Sequence, residues 1–133
     1  MNYIKKLREV KPLVHNITNY VTVNDVANAI LAIGGSPIMS DEITEVAQMT
    51  SISNALNINI GTLNQVKIAS MFEAGKASNA CKHITVLDPV GAGATDLRTN
   101  TCKDLLAQIH FDAIKGNVSE IKTLTVSYTH LTL

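Results

Sequence analysis

The sequence contains no tryptophan, and aromatic residues account for 4% of its 133 positions. A core built on large rings is thereby excluded. The wealth of Ala, Ile, Val, Asn and Thr implies small and branched core side chains, which suit parallel strands covered by helices. Net charge is equally absent. Eleven Lys and Arg balance eleven Asp and Glu, so no overall field draws the chain to nucleic acid or to an anionic membrane, and an anionic ligand has to be held locally. Cysteine is scarce: Cys81 and Cys102 lie outside any CxxC or His-rich spacing, which argues against a zinc site or a disulfide framework and leaves two ordinary thiols. The stretch MNYIKKLREVKP alternates charge with single apolar residues. It has no continuous apolar run, which argues against a signal peptide or spanning helix and makes a cytoplasmic location the expectation. With 46% hydrophobic content, the chain is long enough for one core and one globular unit.

What is present is an alternation of periods. Tyr3, Ile4, Leu7 and Val10 repeat at helical spacing until Pro12. The polar segment Leu13 to Asn19 suits a loop at a strand edge better than a core strand. Thr22 or Asn24 can cap a helix whose apolar face is Val23, Val26, Ala27, Ile30 and Leu31, closed by Gly34-Gly35. Ser36 to Met39 reads as a strand, and Asp41 or Thr44 as the start of a helix through Met49. Ala55 to Ile60 reads as a strand, Gln65 to Asn79 as a helix, Ile84 to Leu87 as a strand and Leu97 to Ile109 as a helix. Asp112 to Gly116 is a short strand, and a last helix starts near Asn117. This pattern, unbroken by repeats or linkers, predicts an α/β fold of βαβ units with a parallel sheet. Ligands of such sheets gather at the carboxyl ends of the strands.

Three clusters fall at those ends. In Asp88-Pro89-Val90-Gly91-Ala92-Gly93-Ala94-Thr95, a strand delivers a carboxylate to the sheet edge and a small-residue loop opens a helix. Free N–H groups at the helix start can face an anion, and Asp88 can hold Mg²⁺ through water. The bland alternative is a tight turn; the loop is neither a Walker A nor a GxGxxG motif. In Lys115-Gly116-Asn117-Val118-Ser119-Glu120, a cation ends a strand while an amide and a carboxylate share a helix face. That set suits Mg²⁺ and nucleotide phosphates, or simply a capping box with Asn117 as N-cap. The third cluster joins His15-Asn16-Ile17-Thr18-Asn19 to Met39, neutral hydrogen-bonding groups with a polarizable side chain, which suits a small heteroaromatic ligand unless these are plain core residues. The Asn57/Asn59 pair before Gly61-Thr62 carries the same ambiguity.

The segments PLVHNITNYVTVNDVANAILAIGGSPIMSDEITEVAQM, LNINIGTL, VLDPVGAGAT and IKGNVSEI resemble, in this order, the hydroxyethylthiazole kinase family, from about Lys11 to Leu124. The resemblance implies a ribokinase-like α/β fold, a parallel sheet flanked by helices. It implies ATP as co-substrate, Mg²⁺ as cofactor, and phosphorylation of the hydroxyl of 4-methyl-5-(2-hydroxyethyl)thiazole in thiamine salvage. A homotrimer with sites between subunits is implied as well, with no membrane or nucleic-acid partner. Residue by residue, Met39 matches the thiazole-contacting position and Asn16 lies in the motif lining that pocket. Lys115 falls where the family places an ATP-contacting cation. Asn117 and Glu120 match the motif associated with phosphate and Mg²⁺, and Asp88 belongs to the neighbouring acidic loop.

Members of that family run much longer. Residues 1–124 correspond to an N-terminal part of the kinase domain, whereas residues 125–133 do not continue the pattern and are expected to be unrelated to the enzyme. The second half carries the family's Gly-rich anion hole, the group that activates the substrate hydroxyl and much of the adenine site. No Gly-x-Gly-Cys or Gly-x-Gly-Asp stretch occurs here, so the expectation is a truncated fold with no catalytic residue and little or no activity alone. Exposed apolar faces and an unpaired edge strand would accompany it. The alternatives are a non-catalytic thiazole-binding or assembly module, and a sugar or vitamin kinase of the wider ribokinase-like group. The neutral Asn and Met pocket speaks against the latter.

Overall fold

The computed structural model describes residues 2–129. Six helices and five strands alternate along the chain: α1 (Tyr3–Val10), β1 (Leu13–Ile17), α2 (Val23–Ile33), β2 (Ser36–Met39), α3 (Val46–Ile52), β3 (Ala55–Asn59), α4 (Gln65–Ala80), β4 (Ile84–Asp88), α5 (Asp96–Gln108), β5 (Ala113–Ile114) and α6 (Val118–Thr129). All strands are parallel, in the order β2-β1-β3-β4-β5. The α/β sheet expected from the alternation of periods is therefore what the chain forms.

One segment departs from its reading. Leu13 to Ile17 is a strand paired on both sides, with β2 and β3, and its last three residues are buried. Its polarity misleads because each polar group finds a partner inside the fold. The His15 Nε2–H donates to the Ser40 carbonyl at 2.8 Å, and Nδ1 lies 2.9 Å from the Thr50 hydroxyl. A buried imidazole so satisfied costs little, whereas an unpaired one would be expensive. Burial holds the His15 pKa below its usual value, against the raising effects of the Ser40 carbonyl and Glu45. The third helix also begins later than Asp41 or Thr44, at Val46, after a turn through Ile43 to Glu45.

Local chemistry explains most boundaries. Asn2, Asn64 and Thr95 cap α1, α4 and α5 through side-chain oxygens that accept the amides of Lys5, Lys67 and Arg98. Helix α2 ends on Gly34 at φ 105°, a left-handed turn that favours glycine. The core lies between the sheet and its helices and comprises Ile17, Leu56, Ile58, Leu87, Met71, Ala74, Cys102, Leu105 and their neighbours. Burial, with a smaller push from Glu120, raises the Cys102 thiol to about 12, so it stays protonated.

The helices do not cover everything. Tyr3, Val10, Tyr20, Val21, Leu31 and Ile33 are exposed, and α2 has no fully buried residue. A single exposed leucine is unremarkable, but so many on α1, α2 and the turn before it mark a contact surface. At the other end of the sheet, β5 pairs with β4 alone, and Ala113 and Ile114 are exposed. No helix among the described residues is long and apolar enough to cross a membrane.

Candidate functional site

The strand order sets where a ligand can enter. From β1 the chain steps outward to β2, then returns past β1 to β3 and continues away through β4 and β5. The direction reverses between β1 and β3, and at such a switch point the loops leaving the two strands part and open a crevice. The residues on its rim are Asn16 to Asn19 from β1 and Asn57 to Gly61 from β3.

Register brings the first pair of candidates together. Asn16 stands opposite Met39 on β2 and opposite Asn57 on β3, so the three occupy one row across three strands. The Asn57 amide donates to Asn16 Oδ1 at 3.1 Å, and the Asn16 amide donates to the Val14 carbonyl at 2.9 Å. Asn16 is thereby fixed as a wall. It and Met39 line a small pocket of about 170 Å³ with Thr18, Asp41 and Lys67. The Thr18 hydroxyl is buried there with no hydrogen-bond partner among the described residues. A buried polar atom left unpaired is unfavourable unless a ligand or water completes it.

Beside this pocket is a cleft of about 510 Å³ whose lining includes Asn19, Asn57, Asn59, Asp88, Val90 and Arg98. Asn59 is its hub. Its Oδ1 accepts from the Asn19 amide at 3.0 Å and from the Gly61 N–H at 2.8 Å, while its own amide donates to Asp88 Oδ2 at 2.9 Å. The Lys115 ammonium stands 4.0 Å from the same carboxylate. Burial raises the Asp88 pKa, Lys115 and Asn59 oppose the rise, and the nearby Glu120 charge adds to it. Asp88 on the cleft wall is thus partly desolvated and feels a second carboxylate, that of Glu120, which is the environment a cation relieves.

Glu120 takes the structural role and leaves room for the chemical one. Its Oε2 accepts the Asn117 N–H at 2.8 Å while Asn117 Oδ1 accepts the Glu120 N–H at 2.9 Å, a reciprocal capping box at the start of α6. Its Oε1 accepts the Gly91 N–H at 2.9 Å, which ties the last helix to the loop after β4. That bond is the main reason its carboxyl sits below the usual range; desolvation opposes it, and the Asn117 N–H and then Lys115 add lesser help. Each oxygen keeps a lone pair, so the hard oxygen set of Asp88 and Glu120 fits Mg²⁺, which retains most of its waters and needs few direct protein ligands. Among the described residues there is no group of three or more potential ligands.

In the loop after Asp88 the backbone amides before the helix start are already engaged. The Gly91 amide is taken by Glu120 and that of Gly93 by the Thr99 hydroxyl, while Ala92 and Ala94 donate to the Pro89 and Gly91 carbonyls. Gly91 and Gly93 serve conformation, at φ 74° and 93°. The Asn117 side chain is likewise engaged in the cap.

Two basic residues escaped the sequence reading. Arg98 donates from one nitrogen to the Val90 carbonyl at 2.7 Å and from another to the Gly61 carbonyl at 2.9 Å, bracing the turns after β3 and β4. A Cβ on Gly91 would stand 3.0 Å from its guanidinium. Lys67 of α4 is 3% exposed and reaches the Thr18 carbonyl at 2.8 Å. Its one sequence signal is a lysine within the buried stripe Lys67, Ser70, Met71, Ala74, Gly75 and Ser78.

The chain is similar to known proteins over nearly its whole length. The hydroxyethylthiazole kinase of Clostridium acetobutylicum is 56% identical over 123 residues, which are 92% of this chain and 45% of that protein. The hydroxyethylthiazole kinase of Clostridium tetani is 55% identical over 124 residues, 93% of this chain and 45% of its own length. A solved hydroxyethylthiazole kinase protein from Pyrococcus horikoshii OT3 superposes with a TM-score of 0.91 at 42% identity, covering 99% of this chain and 53% of that one. The chain thus spans about half the length of the relatives it matches. The hydroxyethylthiazole kinase family model matches residues 4–131, and the chain belongs to that family.

Proposed function

We propose that this chain supplies the substrate pocket and the cation-binding cleft of an ATP-dependent kinase acting on the hydroxyl of 4-methyl-5-(2-hydroxyethyl)thiazole, in the cytoplasm. The observation that carries the reading is the placement of a small pocket, walled by Met39 and Asn16, directly beside the cleft lined by Asp88, whose carboxylate stands 4.0 Å from the Lys115 ammonium. Met39 packs on the ring and the Asn16 amide orients it, with the Lys67 charge on the same wall matched by Asp41. The hydroxyethyl arm then points to the cleft. Lys115 offsets phosphate charge, and Asn117 with Glu120 sets the α6 start against the loop after β4. Mg²⁺, held by Asp88 and Glu120, would neutralise charge on the transferred phosphoryl group.

The exposed apolar residues of α1 and α2 support a homotrimer as the working assembly. A second reading is a chain that binds the thiazole without turning it over. An ADP-release assay with ATP, Mg²⁺ and the hydroxyethylthiazole, paired with thiazole-induced change in Tm, separates the two. ADP release gives catalysis, a shift without release gives binding alone, and neither refutes both.

A further inference from the structure

A lysine is almost never fully buried unless its charge is matched, and Lys67 sits in the first turn of α4, where the helix dipole is unfavourable to a cation. Its surroundings account for its donors. The Nζ donates to the Thr18 carbonyl at 2.8 Å, stands 3.5 Å from Asp41 Oδ2, and lies 4.4 Å from the centre of the Tyr20 ring. An ammonium has three N–H bonds, and the carbonyl, the carboxylate and the aromatic face together engage them. Ser70, one turn further along α4, donates to the Asp41 carbonyl at 2.7 Å and holds the same turn from its backbone.

Each partner belongs to the wall of the small pocket. Thr18 and Tyr20 lie in the turn from β1 to α2, Asp41 in the turn from β2 to α3, and all three line the pocket with Met39 and Asn16. Nothing else among the described residues joins these two turns by a charged contact. For stability alone the arrangement is a poor choice. A methionine of similar volume would fill the space without desolvating a charge, and Asp41, half exposed, would pass to water rather than remain buried and unpaired.

We propose that Lys67 is a positioning residue: its ammonium ties the β1–α2 turn to the β2–α3 turn and so sets the walls of the Met39–Asn16 pocket. The ligand part of this inference rests on the functional reading above, whereas the tie between the turns does not.

The test uses the full chain and Lys67→Met, with three readouts: Tm, backbone amide exchange, and hydroxyethylthiazole affinity by calorimetry. In the variant the Tm is expected to hold or rise. Exchange at residues 18–22 and 40–45 quickens about tenfold while that of β3 is unchanged, and thiazole Kd weakens about tenfold. A purely structural lysine would do the reverse, lowering Tm and leaving the affinity of the folded protein intact. Unchanged exchange in both turns, or a Kd within about twofold of the parent, overturns the proposal. If the parent chain has no affinity for the thiazole, the functional reading fails and the exchange readout alone decides the tie. Asp41→Asn, which removes the charged far end of the tie at a half-exposed position, repeats the measurement should Lys67→Met fail to fold. Unaltered exchange of residues 40–45 there overturns the proposal as well.

Discussion

Replacing Glu120 by alanine removes two bonds and leaves a third intact. The Asn117 side chain still caps the backbone of residue 120, but the Asn117 N–H loses Oε2 and the Gly91 N–H loses Oε1. Loss of a capping contact costs about 1 kcal/mol. A hydrogen bond to a charged acceptor contributes about 1.5–3 kcal/mol in sheltered settings, and the exposure of Glu120 places the Gly91 bond at or below the lower end. The sum is about 2 kcal/mol, which for a domain of this size lowers Tm by roughly 5–10 °C. Circular dichroism melting at pH 7 measures it. Glu120→Gln keeps one acceptor oxygen and should lose about half as much. The sign of the pH dependence is fixed too. The folded carboxyl titrates below its ordinary 4.5, so the stabilisation is complete above that value and is lost as pH falls through the folded pKa. The gap between parent and Glu120→Ala should therefore close in acid. A Tm loss under about 2 °C at pH 7, or a gap that persists unchanged at pH 3, would refute the bridging role.

Asp88→Asn should raise Tm, because burial already disfavours the charged form in the folded state, while abolishing any Mg²⁺-dependent change in Tm on adding ATP; a lower Tm would contradict the burial argument. Asn59→Ala strands the Asn19 amide, the Gly61 N–H and part of Asp88 and should cost about 2–4 kcal/mol in urea denaturation; a loss under about 1 kcal/mol would mean that water replaces the hub. His15 stays neutral in the fold to a lower pH than its ordinary 6.5. Below 6.5 the unfolded chain takes up a proton that the folded one refuses, so stability falls with pH until the folded value is reached. Urea midpoints between pH 7.5 and 5 should show this slope, and His15→Gln should flatten it.

The fold class was legible because helical and strand periods alternate cleanly from Ser36 to Glu120, and α1 and α2 stop before Pro12 and at Gly34 as the pattern implies. Leu13 to Ile17 was not, because polarity along a segment cannot reveal partners contributed by Ser40, Thr50 and Asn57 from elsewhere in the chain. Met39 and Asn16 were readable as candidates, but their adjacency is a matter of strand register. The capping box of Asn117 and Glu120 was visible in the spacing, whereas the bond from Gly91 to Glu120 spans 29 residues and leaves no local trace. Lys67 and Arg98 act on backbone carbonyls, which carry no side-chain signature.

The strand order has a bearing on how the chain is made. Every neighbouring pair in the sheet joins strands one or two apart in sequence: β1 with β2, β1 with β3, β3 with β4, β4 with β5. A nascent chain emerges N-terminus first, so each new strand meets an edge already exposed by its predecessors. Strand β1 has two partners and receives both by the time β3 appears. Parallel sheets fold slowly when distant segments must wait for one another, and this order of pairing keeps that wait short at every step of synthesis.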